Sequence, residues 1–114
     1  MSTVIWHNPR CSKSRQTLAL LTERGAAPVV RLYLTDAPSE AELRDVAARL
    51  SVAAIDLIRR GEALFRELGL SPTDPDAVLF AAMAANPKLI ERPVVLRADK
   101  AAIGRPPEAA LDIL

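Results

Sequence analysis

The sequence predicts an α/β domain with a mixed four-stranded sheet: a strand–helix–strand unit, a helical insertion between strands 2 and 3, and a closing strand–strand–helix unit. Three observations predict it. Thr3-Val4-Ile5-Trp6 and Val29 to Leu34 are β-branched and apolar runs, and between them Leu18, Leu20 and Leu21 stand at helical spacing. From Ser39 to Ala85 the chain carries helix start and stop signals and reads as essentially all helical. Val94-Val95-Leu96-Arg97 then begins a second β-rich region.

Taken in order, the first helix runs from Arg15 to Glu23 and ends at Gly25, which can take the left-handed conformation, just after Arg24. Pro28 closes the connection. Val29 to Leu34 is apolar on both faces, so this second strand is expected in the middle of the sheet. A strand, a helix of about three turns and a strand imply a right-handed crossover with parallel strands. Ser39 and Glu42 have the spacing of a reciprocal capping box, followed by the apolar stripe Leu43, Val46, Ala47 and Leu50. Ala53 to Arg60 and Glu62 to Leu68 read as two further short helices, the second stopped by Gly69. Asp74-Pro75 opens a helix that passes through Phe80 and Met83 and stops at Asn86-Pro87. Val94 to Arg97, the turn Ala98-Asp99-Lys100 and Ala101 to Gly104 form an antiparallel hairpin whose second strand is weakened by two alanines. Pro106-Pro107-Glu108 starts a terminal helix with Ala110, Leu111 and Ile113 as its buried face.

A chain of 114 residues makes one domain, residues 1–114, with a core large enough to be stable without disulfides, and its single cysteine could form none internally. A net charge of +1 argues against a nucleic-acid binder that relies on bulk positive charge. The start lacks a basic region followed by an apolar one, and no later run reaches membrane-spanning length. An unpaired thiol in such a chain points to the reducing cytoplasm. A monomer without nucleic-acid or membrane partners is expected.

The chemistry concentrates in His7-Asn8-Pro9-Arg10-Cys11-Ser12-Lys13-Ser14-Arg15, which holds the only cysteine and the only histidine. Cys11 sits where a strand hands over to a helix. The first N–H groups of a helix lack intrahelical partners and the dipole end is positive, so a thiolate or a bound oxyanion is favoured there. Arg10, Lys13 and Arg15 add positive charge. The bland reading, a cysteine serving as a small core hydrophobe, fits poorly with a loop of Asn, Pro, Arg, Lys and Ser. His7 either tunes the thiol or caps the strand end through a backbone hydrogen bond. Arg15 lies one helical turn beyond Cys11 on the same face. Ser14 either donates to the thiolate or is only a polar first-turn residue, and Asn8 shapes the loop through an Asx-type bond.

This motif, together with Leu89-Ile90-Glu91-Arg92-Pro93 and Gly104-Arg105-Pro106-Pro107-Glu108, resembles the glutaredoxin-coupled arsenate reductase family over nearly the whole chain. The resemblance implies a thioredoxin-like fold, a catalytic cysteine at Cys11, and arginines at Arg59, Arg92 and Arg105 that hold the arsenate or arsenite oxyanion. Cys11-Ser12-Lys13-Ser14 is similar to a monothiol glutaredoxin site with serine in place of the second cysteine. The resemblance also implies a cis bond at Arg92-Pro93. The chain stops soon after Arg105, which is similar to the short chromosomal members rather than the longer plasmid-encoded resistance enzymes.

Arginine suits a tetrahedral oxyanion because its planar fork of N–H donors is permanently charged and binds two oxygens at once. Arg60 and Arg66 read as ordinary solvated charges. The expected reaction starts with a covalent adduct between Cys11 and arsenic, with Cys11, His7, Ser14 and Arg15 as the catalytic group. Reduction to arsenic(III) takes two electrons, and a chain with one cysteine must take its second thiol from outside. The resemblance makes that thiol glutathione, a co-substrate rather than a bound cofactor, and makes glutaredoxin the partner that resolves the mixed disulfide. Two other readings are an Spx-type regulator that binds RNA polymerase and a monothiol glutathione-dependent oxidoreductase without arsenate specificity. Polymerase co-purification would favour the first, and turnover of a glutathionylated peptide over arsenate the second.

Overall fold

The computed structural model describes residues 2–114. The chain divides into two compact units, one made of the segment up to Asp36 with Arg92–Leu114, the other of Ala37–Glu91.

The first unit is built on a four-stranded mixed sheet of thioredoxin-like fold. Its strands are β1 (Thr3–Trp6), β2 (Val29–Arg31), β3 (Val94–Arg97) and β4 (Lys100–Ile103), in the order β2-β1-β3-β4. β1 pairs with β2 in parallel and with β3 antiparallel, with Ile5 opposite Val30 on one side and Val95 on the other. β3 and β4 form the expected hairpin, with Arg97 opposite Lys100 across a turn in which Ala98 takes a left-handed φ of 53°. α1 (Ser12–Glu23) begins three residues before the sequence reading had it. It ends in a Schellman arrangement: Gly25 has φ 76°, and the N–H groups of Ala26 and Gly25 donate to the carbonyls of Leu21 and Thr22. Ile5, Leu21, Val95, Ala102, Ala110 and Ile113 form the apolar cluster on one side of the sheet, with Leu18 and Ala26 packed on it.

Two expectations are corrected here. β2 is an edge strand of three residues, not a central one, and Val29, Val30, Leu32 and Leu34 stand 43–59% exposed while Tyr33 alone of the run is buried. Apolar residues on both faces mark a central strand only when both faces are covered, and the chain leaves the sheet after Arg31. It turns there because the N–H groups of Thr35 and Asp36 donate to the Leu32 carbonyl, and Arg31 pairs with Asp36 at 3.3 Å. The terminal helix, Pro107–Ile113, is 3-10 rather than α. Side chains three apart eclipse in that geometry, so Pro107, Ala110 and Ile113 share the buried face while Leu111 is only half-buried.

The second unit contains α2 (Glu40–Leu50), α3 (Ala63–Glu67) and α4 (Asp76–Ala85). The capping box is present: Ser39 Oγ accepts from Glu42 N and Glu42 Oε1 accepts from Ser39 N. α2 stops at Ser51, whose φ is 57°. The helix expected over Ala53 to Arg60 is reduced to a 3-10 turn at Ala54–Asp56. The rest of that stretch is extended enough for Ile58 to bridge Ile90, with Arg59 N donating to Leu89 O and Glu91 N to Leu57 O. Backbone pairing with a distant segment has overridden a short local helical pattern, so the insertion is not helical throughout. Among the described residues, no helix is long and apolar enough to cross a membrane.

Candidate active site

The β1–α1 connection holds Cys11, the N-cap residue of α1, in extended backbone conformation (φ −94°, ψ 122°). Its backbone closes the loop, with Cys11 N donating to Asn8 O at 3.0 Å and Arg15 N to Cys11 O at 3.0 Å. The Asx bond is formed: Asn8 Oδ1 accepts from Arg10 N at 3.0 Å. Arg15 Nη1 donates to Pro9 O at 2.8 Å, so the first turn of α1 clasps the loop from outside.

Cys11 is a free, largely buried thiol. Burial pushes its pKa up. That effect is outweighed by a hydrogen bond from Arg92, the backbone N–H of Ser14, the charge of Arg92 and the backbone N–H of Lys13, and the thiol ends below its ordinary value. Arg105 approaches from the end of β4, with Nη2 3.7 Å from Cys11 Sγ and Nε donating to Arg92 O at 2.7 Å. Both Arg92-Pro93 and Arg105-Pro106 are cis bonds, the first as the family resemblance implied. The groups named around the sulfur are donors and cations, an arrangement that stabilises a thiolate and leaves N–H groups facing an anion.

His7 and Ser14 form a second, buried layer. Ser14 Oγ accepts from Asn8 N at 3.0 Å and lies 2.6 Å from His7 Nδ1. The hydroxyl keeps one proton and a second lone pair for His7 Nδ1, so the direction of that bond is set by which ring nitrogen carries the proton. Burial, and then the charge of Arg15, lower the His7 pKa, so the ring is neutral at pH 7. His7 N also donates to Arg31 O at 2.8 Å, a main-chain bond that continues the β1–β2 pairing. Ser14 meets the sulfur through its backbone N–H, while its hydroxyl serves His7.

Of the residues singled out in the sequence, the first unit brings together Cys11, His7, Ser14, Arg15, Arg92 and Arg105. Arg59 belongs to the second unit, where Nη1 lies 3.1 Å from Glu62 Oε2 and Nε 3.9 Å from Glu91 Oε1. Arg60 and Arg66 are exposed, as read. Thr17 is not singled out in the sequence and Gly104 is named there only as part of the hairpin and the family motif, because a tight contact between two small residues 87 positions apart leaves no local signal.

A thioredoxin-like sheet that presents one acidified thiol at a helix start defines a monothiol protein of the thioredoxin-fold class. The chain belongs to the ArsC family, whose defining pattern matches residues 6–113. It is 46% identical to an arsenate reductase of Haemophilus influenzae, with both chains covered in full. An arsenate reductase of Escherichia coli is 38% identical over 96% of this chain and 79% of that one. The arsenate reductase structure from Vibrio cholerae superposes with a TM-score of 0.96 at 50% identity, covering 100% of this chain and 98% of the other.

Proposed function

We propose that the protein reduces arsenate to arsenite in the cytoplasm, with glutathione supplying the second thiol and glutaredoxin regenerating Cys11. The observation that carries this reading is the Cys11 sulfur held under the Arg92 hydrogen bond, the Lys13 and Ser14 N–H groups and Arg105 Nη2 at 3.7 Å. The same donors that favour a thiolate also seat a tetrahedral oxyanion beside it. The relatives named as arsenate reductases support the substrate.

Cys11 thiolate attacks arsenic: an S–As bond forms and one As–O bond breaks, its oxygen leaving as water after protonation from solvent. A glutathione thiolate then attacks the Cys11 sulfur. The S–S bond forms, the S–As bond breaks with its electron pair left on arsenic, and arsenic(III) departs as arsenite. A glutaredoxin thiolate takes the glutathionyl sulfur and Cys11 leaves as thiolate, so the electron pair comes from one external thiol pair per turnover. Arg92 and Arg105 hold the oxyanion, and Arg59 joins them on the family resemblance alone. His7, Ser14 and Arg15 shape the thiol loop.

The test is arsenite production by the purified protein with glutathione and glutaredoxin, alongside Cys11→Ser. Activity that survives Cys11→Ser removes the proposed nucleophile; no activity in the wild type removes the substrate.

A further inference from the structure

Gly104 is buried at the end of β4, and a side chain there has no room. A Cβ would overlap Thr17 Oγ1 and stand 2.8 Å from Pro93 Cγ and 3.0 Å from Thr17 Cγ2. Gly25, Gly61 and Gly69 have open space at the same position. Nor is Gly104 in the left-handed region, so close approach rather than backbone conformation calls for glycine here.

The segments that meet at this point are the ones that furnish donors to the thiol. Thr17 is fully buried in α1 and its Oγ1 donates to Lys13 O at 2.8 Å, tying it to the turn whose Lys13 and Ser14 N–H groups face Cys11. Pro93 follows Arg92, and Gly104 N donates to Pro93 O at 3.0 Å. Arg105 follows Gly104 and is locked to the Arg92 carbonyl. Close-packed interiors transmit small displacements rather than absorb them. A methyl group in this gap would therefore move α1, the Arg92 segment or Arg105 away from the sulfur.

We infer that Gly104 is a positioning residue, whose missing side chain lets the end of β4 close on Thr17 and Pro93 and thereby sets how the α1 N–H groups, Arg92 and Arg105 converge on Cys11. The inference rests on Cys11 being the reacting group; it does not depend on arsenate being the substrate.

The experiment follows iodoacetamide alkylation of Cys11 against pH in wild type, Gly104→Ala, Thr17→Ala and the double variant, with a thermal melt of each. Gly104→Ala is expected to raise the apparent thiol pKa by roughly one unit, the size of losing a close favourable charge. Thr17→Ala alone moves the profile by less than Gly104→Ala does, because it opens space at the contact and forces no segment away from the sulfur. The double variant, in which residue 104 can shift into the space left by Thr17, returns most of the way. A folded Gly104→Ala with the wild-type profile overturns the inference, as does a double variant that keeps the full shift. Should Gly104→Ala fail to fold, the double variant decides, and its failure to fold alongside a folded Thr17→Ala also counts against the inference. Arsenate turnover measured on the same wild-type sample separates the two readings: the alkylation pattern without turnover sinks the substrate and leaves Gly104 in place.

Discussion

Arg105 Nη2 lies 3.7 Å from Cys11 Sγ, a contact between residues 94 positions apart. Hydrogen bonds to charged groups are each worth about 1.5–3 kcal/mol, so Arg105→Ala should lower kcat/KM for arsenate by roughly 10- to 100-fold. Arg92→Ala should do at least as much, because Arg92 contributes both a hydrogen bond and charge to the thiol. In alkylation experiments the Arg92→Ala thiol should titrate at higher pH than wild type. An unchanged alkylation profile would mean that the guanidinium does not hold the thiolate.

The buried His7 and Ser14 pair predicts a pH dependence of stability. The folded-state pKa of His7 is lowered, so below its unfolded value of about 6.5 the unfolded chain takes up a proton that the folded chain refuses. Stability is therefore lost as pH falls from about 6.5 toward the folded pKa. Urea midpoints should drop over that window in wild type and drop less in His7→Asn, which has no titrating ring and can still hydrogen-bond to Ser14. Nitrogen NMR of the ring at pH 7 reads the direction of the Ser14 bond: Nε2–H where the hydroxyl donates to Nδ1, Nδ1–H where it accepts.

The ends of α2 predict opposite effects of two small changes. Ser39→Ala removes half of the capping box and should cost about 1 kcal/mol in chemical denaturation. Ser51→Gly relieves a left-handed φ of 57° and should add up to about 1 kcal/mol. Destabilisation by Ser51→Gly would show that the gain in unfolded-chain entropy outweighs the relief.

The exposed edge gives a fourth test. Because Leu32 and Leu34 are nearly half exposed, Leu32→Gln and Leu34→Gln should each change stability by less than about 0.5 kcal/mol. Tyr33→Ala, by contrast, removes a fully buried ring and should cost about 3 kcal/mol or more. A large loss at either leucine would place that side chain in the core after all.

Local sequence signals matched the structure where no distant pairing competed with them. Ser39 with Glu42, Gly25 after the first helix, the β1 limits and the strand-to-helix position of Cys11 all follow from chemistry within a few residues. Arg92 and Arg105 could be assigned to the thiol only through family resemblance, since nothing near them in sequence points toward residue 11. The errors fell where distant pairing decides. Residues 53–60 gave up a helical pattern to pair Ile58 with Ile90, and β2 was misplaced because neighbours, not its own side chains, determine which strand is central. The Gly104 gap was invisible for the same reason.

The span between Cys11 and Arg105 also has a bearing on synthesis. Chains grow from the amino end, so the thiol loop leaves the ribosome well before residues 92–105 are made. The local N–H groups of Lys13 and Ser14 can form with α1, but both guanidinium groups arrive only later. A nascent chain thus carries a comparatively inert sulfhydryl through the period when it is least folded, and acquires its full nucleophilicity only when the third and fourth strands dock.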